Sequence, residues 1–120
     1  MEKKNLDWKH IGFAYHTTDY RYVADYKDGK WQEGYMSDSP NIVLNECAGI
    51  MQYCQEVFEG LKAYETADGR IVTFRSDLNA DRMYHSAERM EMPPFPKERF
   101  IEAVEKVVKA NEAWVPPYGR

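Results

Sequence analysis

The chain has 120 residues, with 16 lysines and arginines against 20 aspartates and glutamates, for a formal net charge of -4. That length suits one domain able to bury a sizeable core, and 43% hydrophobic with 30% charged residues is ordinary for a soluble globular protein. The acidic balance, with no basic run to offset it, argues against nucleic acid as a partner, no window approaches transmembrane length, and residues 1–10 are too polar for a secretion signal.

Residues 1–9 are charged and expected to be loose until Trp8 finds a contact. Residues 20–26 alternate, with Tyr20, Tyr22, Ala24 and Tyr26 on one face, and predict a strand. Asp28-Gly29 turns the chain, and residues 30–35 return as a second strand. Residues 37–41 carry loop chemistry, and residues 48–55 read as a short helix. Cys47 and Cys54 stand seven apart, without a CxxC pair or a histidine at ligand spacing. Reduced, partly buried thiols in a cytoplasmic protein are expected in preference to a disulfide or a metal site.

The stretch from 56 to 83, EVFEGLKAYETADGRIVTFRSDLNADRM, is the most informative. It reads as strand, an Asp68-Gly69 turn, a β-rich run at 71–74, then a helix over about 77–90. Ser76 is the expected cap, and Asp77 suits the positive helix terminus. Met83, Ala87 and Met90, with Leu78, form the expected apolar stripe. Arg82 stands beside it. A helical arginine usually finds a carboxylate three or four residues away, but those positions hold Leu78, Asn79, His85 and Ser86. Arg82 must therefore find its anion off the helix or point into water. Arg89 also lacks such an acid, yet its place near the helix C-terminus favours a cation without any ligand. Prolines at 93, 94 and 96 break the chain, and a final helix runs from 97 to about 113 with Phe100, Ile101, Val104, Val107 and Val108 on one face. The pattern is α+β: an antiparallel sheet covered by two main helices.

Aromatic residues make 14% of the chain, many before residue 65. They could line a pocket for an apolar ligand, although aromatic residues more often pack sheet faces. His10, His16 and His85 have no acid or cysteine at a meaningful spacing, so acid–base work by them is not expected.

FEGLKAY, the acidic turn, TFR and LNADRM together resemble the branched-chain amino-acid aminotransferases, pyridoxal-phosphate enzymes of the D-amino-acid-aminotransferase-like fold, class IV. The likeness extends over IGFAYHTTDYRYVADYKDGKW and RMEMPPFPKERFIEAVEKVVKANEAWVPPYG. It implies that residues 1–120 form the N-terminal small domain. It implies that Arg82 binds the cofactor phosphate, and that Tyr53, Phe58 and Phe13 belong to the substrate side-chain pocket. Family members are much longer, and their Schiff-base lysine lies in a C-terminal domain. None of the lysines here stands in such a context, Lys62 in GLKAY included, so no catalytic residue is expected in this piece and it should be inactive alone. Ser76 replaces a proline common in the family, and the bulky Tyr84 and His85 are expected to face outward. The implied activity is transfer of the amino group of leucine, isoleucine or valine to 2-oxoglutarate, by a cytoplasmic homodimer acting on small molecules. Another class IV enzyme, a D-amino-acid aminotransferase or an aminodeoxychorismate lyase, and a non-catalytic binding module remain alternatives.

Overall fold

The computed structural model describes residues 2–120; the first residue of the charged N-terminal segment lies outside the described residues. The first hairpin forms where alternation and the Asp28-Gly29 turn predict it, but as two ladders. Strand β1 (Arg21–Val23) pairs antiparallel with β4 (Tyr35–Ser37), and β2 (Tyr26–Lys27) pairs with β3 (Lys30–Trp31). Between them Ala24 and Asp25 face Gln32, Glu33 and Gly34, so one arm carries an extra residue. The Gln32 N–H donates to the Asp25 carbonyl at 2.8 Å. This is the arithmetic of a bulge, and it bends the hairpin. Gly34 follows from packing: a Cβ there would sit 1.8 Å from the Tyr22 hydroxyl oxygen.

A short helix α1 (Gly49–Tyr53) ends at Cys54 in a left-handed conformation. Both cysteines are free and exposed rather than partly buried, because the segment carrying them lies on the surface. Strands β5 (Ala63–Glu65) and β6 (Ile71–Thr73) form a second hairpin across the Asp68-Gly69 turn. The expected single sheet is thus three separate two-stranded pairs among the described residues. Ladders of two or three residues are too short to join edges.

Helix α2 (Ser76–Arg89) begins one residue earlier than predicted. Arg75, not Ser76, occupies the cap, with φ 49° and ψ 48°, and no side chain caps the helix. The Arg75 guanidinium instead grips Asp77 at 2.9 and 2.7 Å. Ala80 and Ala87 are the buried parts of α2, whereas Leu78 and Met90 of the expected stripe are exposed. Helix α3 (Lys97–Ala110) packs against α2 and stops before a 3-10 turn at Glu112–Trp114. Its predicted apolar face is half-buried throughout.

Two devices tie the hairpin to the residues flanking α3 at its two ends. The buried Asn111 side chain accepts the Tyr20 N–H at 2.9 Å and donates to the Tyr20 carbonyl at 2.7 Å. Trp31 stands edge-on to Tyr26 and Phe95, with centroids 5.3 and 4.9 Å away, and its indole N–H donates to the Pro94 carbonyl at 2.9 Å. The N-terminal segment is anchored well before Trp8: Lys4 N–H donates to the Ala113 carbonyl at 2.9 Å, and Lys3 pairs with Glu65 at 2.7 Å.

The core is thinner than the length allows. Ala80, Ala87 and Val115 are the buried apolar residues among those described. A cleft of about 650 Å3 stays open between the first hairpin and α3, walled by Tyr22, Trp31, Leu61, Met83, Phe100 and Val107. The radius of gyration is 16.0 Å, against about 14 Å for a compact domain of this size.

Candidate functional site

The two sequence motifs separated by the second hairpin meet in space. Glu59 lies in the extended segment before β5, and Asn79 and Arg82, three apart on α2, turn toward it. The Arg82 Nε–H donates to Glu59 Oε2 at 2.7 Å, and its Nη2 donates to Oε1. Asn79 Nδ2 donates to the same Oε1 at 2.8 Å and to the Gly60 carbonyl at 3.1 Å. The Gly60 N–H closes the group, donating to Oε1 at 3.1 Å. FEG and LNADR therefore form one polar clasp.

Its two charges sit in different surroundings. The Glu59 side chain is 2% exposed and that of Arg82 is 68% exposed. The Arg82 hydrogen bond, helped by Asn79 and opposed by burial, holds the Glu59 carboxyl down to about 2. The same bond raises Arg82 above its ordinary value. A fork-on-carboxylate pair of this kind fixes direction as well as charge. Arg82 keeps its remaining N–H donors, those of Nη1 among them, for a further acceptor.

Those donors border a shallow groove of about 520 Å3, lined by Val57, Phe58, Arg82, His85, Ser86, Arg89 and Met90. Arg82, Ser86 and Arg89 recur along one face of α2 at helical spacing. Opposite them Phe58, 87% exposed, supplies an apolar wall. A cationic floor beside an apolar wall suits an anion carried on an apolar or aromatic body.

Of the residues singled out from sequence, the structure brings Arg82 and Phe58 together on this groove. Tyr53, 85% exposed at the end of α1, and Phe13, fully exposed in the N-terminal segment, stand outside it. His85 faces outward, as expected, and its exposed side chain borders the groove, while Tyr84 is half-buried beneath the Lys97 ammonium, 5.0 Å from its ring. Two histidines have acids after all. His85 Nδ1 lies 3.0 Å from Glu88, and His10 Nδ1 lies 2.9 Å from Asp7, each one helical turn or one tight turn away. Sequence reasoning gave Asn79 and Ser86 no role, gave Glu59 no catalytic role, and read Arg89 only as a cation suited to the helix C-terminus. The available signal was Asn79 and Arg82 on one helix face, both lacking acceptors, with an acid in the neighbouring motif. Among the described residues no group of three or more histidines, cysteines or acids could hold a metal, and no helix is long and apolar enough to cross a membrane.

An α+β unit that presents a clasped arginine with free N–H donors on an open groove has the chemistry to meet an anion. Its sequence relatives narrow the class. The chain is 47% identical over 116 residues, 97% of its own length, to the branched-chain-amino-acid aminotransferase of Haemophilus influenzae, and covers 34% of that protein. It is 43% identical over 96% of its length to the enzyme of the same description from Helicobacter pylori, again covering 34%. A methionine aminotransferase of Arabidopsis thaliana is 42% identical over 97% of the chain, which covers 33% of it. No protein-family model matches the chain. Over these residues the chain is a homologue of the branched-chain-amino-acid aminotransferases, and it spans about a third of the length of the curated relatives it matches.

Proposed function

We propose that this chain is the small domain of a class IV, pyridoxal-phosphate-dependent branched-chain aminotransferase, and that Arg82 binds the cofactor phosphate. The observation that carries this reading is the groove itself: a clasped arginine with donors to spare, Ser86 and Arg89 along the same helix face, and Phe58 opposite. The donor set fits a phosphate dianion on an aromatic ring. Arginine is suited to that work because its charge is permanent and its fork can bind two oxygens. Ser86 would donate its hydroxyl, Arg89 would add charge, and Phe58 would press on the aliphatic side chain of the amino donor. Tyr53 and Phe13 are assigned to the same substrate pocket by family resemblance. When bound, the cofactor supplies the electron sink that the reaction needs; these residues hold and orient it.

The activity is transfer of the amino group of leucine, isoleucine or valine to 2-oxoglutarate, in the cytoplasm, by a homodimer. No lysine lines the groove among the described residues, so the catalytic lysine is assigned to protein beyond these residues, and the 120-residue piece alone is expected to make no glutamate. The methionine aminotransferase among the relatives makes methionine a competing amino donor.

Extending the reading frame past the codon for Arg120 and assaying the gene product tests the whole reading. Leucine, isoleucine and valine should outrun methionine and D-alanine as amino donors to 2-oxoglutarate. A product that turns over only D-alanine, or releases pyruvate from aminodeoxychorismate, makes it another class IV enzyme. A stop codon directly after Arg120 supports a binding module instead. Arg82→Ala should weaken cofactor affinity about ten- to a hundredfold, the equivalent of roughly 1.5–3 kcal/mol for a charge-assisted contact. Unchanged affinity with an altered ranking of amino donors would refute the role given to Arg82.

A further inference from the structure

We infer that Glu59 is a positioning residue: its buried carboxylate aims the Arg82 guanidinium so that the free edge of the fork meets the cofactor phosphate. This rests on the reading proposed above. The observations are the exposure contrast and the bonding pattern. Arg82 is mostly in water, and a long side chain there samples many rotamers. Glu59 is the fixed end. It is almost wholly covered, and it is held by Asn79 and by the backbone N–H of Gly60 as well as by Arg82. Asn79 also holds the Gly60 carbonyl, so α2 and the segment bearing Phe58 are pinned at the same point. The carboxylate occupies the Nε edge of the guanidinium and leaves Nη1 unengaged.

Two effects of the carboxylate oppose each other. Its negative charge reduces the field that attracts a phosphate, and its two bonds remove the entropy that Arg82 would otherwise lose on binding. The phosphate is met on the far side of the guanidinium, at the solvent-facing groove. There water screens the more distant carboxylate charge, while orientation is unscreened. Orientation therefore wins. Glu59 also borders the inner apolar cleft, whereas Arg82 borders the outer groove. The clasp thus passes the rigidity of the interior to a surface cation, as a supporting hydrogen bond does for a ligand-binding side chain.

The experiment compares pyridoxal phosphate with pyridoxal, which lacks the phosphate, by spectroscopic titration of the apo form of the complete gene product. Glu59→Gln, which removes the charge and can accept at one oxygen only, should weaken pyridoxal phosphate about tenfold and leave pyridoxal unchanged. In an Arg82→Ala background Glu59→Gln should have no further effect, because the arginine through which it acts is gone. If Glu59→Gln does not fold, Glu59→Asp keeps the charge but withdraws the carboxylate by one methylene, and should give a smaller loss confined to the phosphate-bearing ligand. Equal losses for both ligands would make Glu59 a purely structural residue and overturn the inference. Unchanged or tighter phosphate binding would overturn it as well. Both failures leave the proposed function standing if Arg82→Ala still weakens pyridoxal phosphate. No phosphate-dependent binding by the unsubstituted protein would overturn the function and the inference together.

Discussion

The clasp around Glu59 and the junction around Trp31 join their segments by opposite means. The clasp uses hydrogen bonds among a carboxylate, an amide and a guanidinium. The junction uses aromatic edges, one indole hydrogen bond and the Asn111 amide. Polar bonds fix direction, which a ligand-binding cation needs, but each adds little net stability. Aromatic burial fixes no donor so closely, yet each ring taken from water removes more apolar area than a small core residue can. The difference predicts that the junction governs stability and the clasp governs the site.

The strongest test of that division is Trp31→Ala. It removes two edge-on aromatic contacts and strands the Pro94 carbonyl. A loss of about 3 kcal/mol is expected, the lower end for a large aromatic because Trp31 is only half-buried. Urea denaturation measures it; a loss no larger than that of Glu59→Gln would break the comparison.

Asn111→Ala should come next. The Tyr20 N–H loses its side-chain partner and the carbonyl keeps only the Thr18 hydroxyl at 3.5 Å, in a place where Asn111 is 7% exposed. Leaving the N–H unsatisfied and the carbonyl with one long hydrogen bond costs about 2 kcal/mol. Asn111→Asp sharpens the result: it can still accept from the Tyr20 N–H but cannot donate to the carbonyl. Its buried carboxylate would also face the Tyr20 and Val107 carbonyls, which the Asn111 amide meets at 2.7 and 2.9 Å, so it should be no more stable than Asn111→Ala in the same denaturation experiment.

A smaller, pH-dependent effect belongs to the clasp. Glu59 is held at about 2 when folded against an ordinary 4.5, so the unfolded chain binds its proton more tightly. Its contribution is fully present above about pH 5 and is lost as pH falls toward the folded value. Asp19, Asp68, Asp77 and Glu102 are also lowered by their ion pairs or hydrogen bonds and share that window. The test is therefore a difference. The acid limb of the stability profile should be shallower in Glu59→Gln than in the unsubstituted protein, and coincident limbs would mean that the clasp does not form.

Sequence made the motifs legible but not their joining. Helix α3 is visible in the spacing of Phe100, Val104, Val107 and Val108, and the hairpin turns are visible in Asp28-Gly29 and Asp68-Gly69. Those signals are local, set by side-chain period and by backbone freedom at glycine. The bulge opposite Ala24 and Asp25 escaped because it depends on how Tyr22 crosses Gly34. The same reason hid the partner of Arg82. Intrahelical spacing correctly excluded a helical acid, but choosing Glu59 among the acids off the helix required knowing that the segment before β5 runs past α2. The Ser76 cap failed for a different cause: Arg75 satisfies its own needs by gripping Asp77 from a left-handed turn, and the helix starts without a side-chain cap.

The smallest effect on stability should come from Phe58→Ala, and that makes it the cleanest probe of the site. Phe58 is 87% exposed and contributes to no buried apolar cluster among the described residues. Removing it should move the denaturation midpoint by less than about 0.5 kcal/mol, as for an ordinary surface position. Its proposed work is against the substrate. In the full gene product, the loss of an apolar wall should lower kcat/KM for leucine much more than for glutamate, by about tenfold in their ratio, because only the aliphatic side chain is desolvated against the ring. Equal falls for both substrates would assign Phe58 to cofactor support. A large loss of stability would mean that the ring is covered by protein outside these residues, and the comparison between a stabilising junction and a ligand-directing clasp would then have to include that contact.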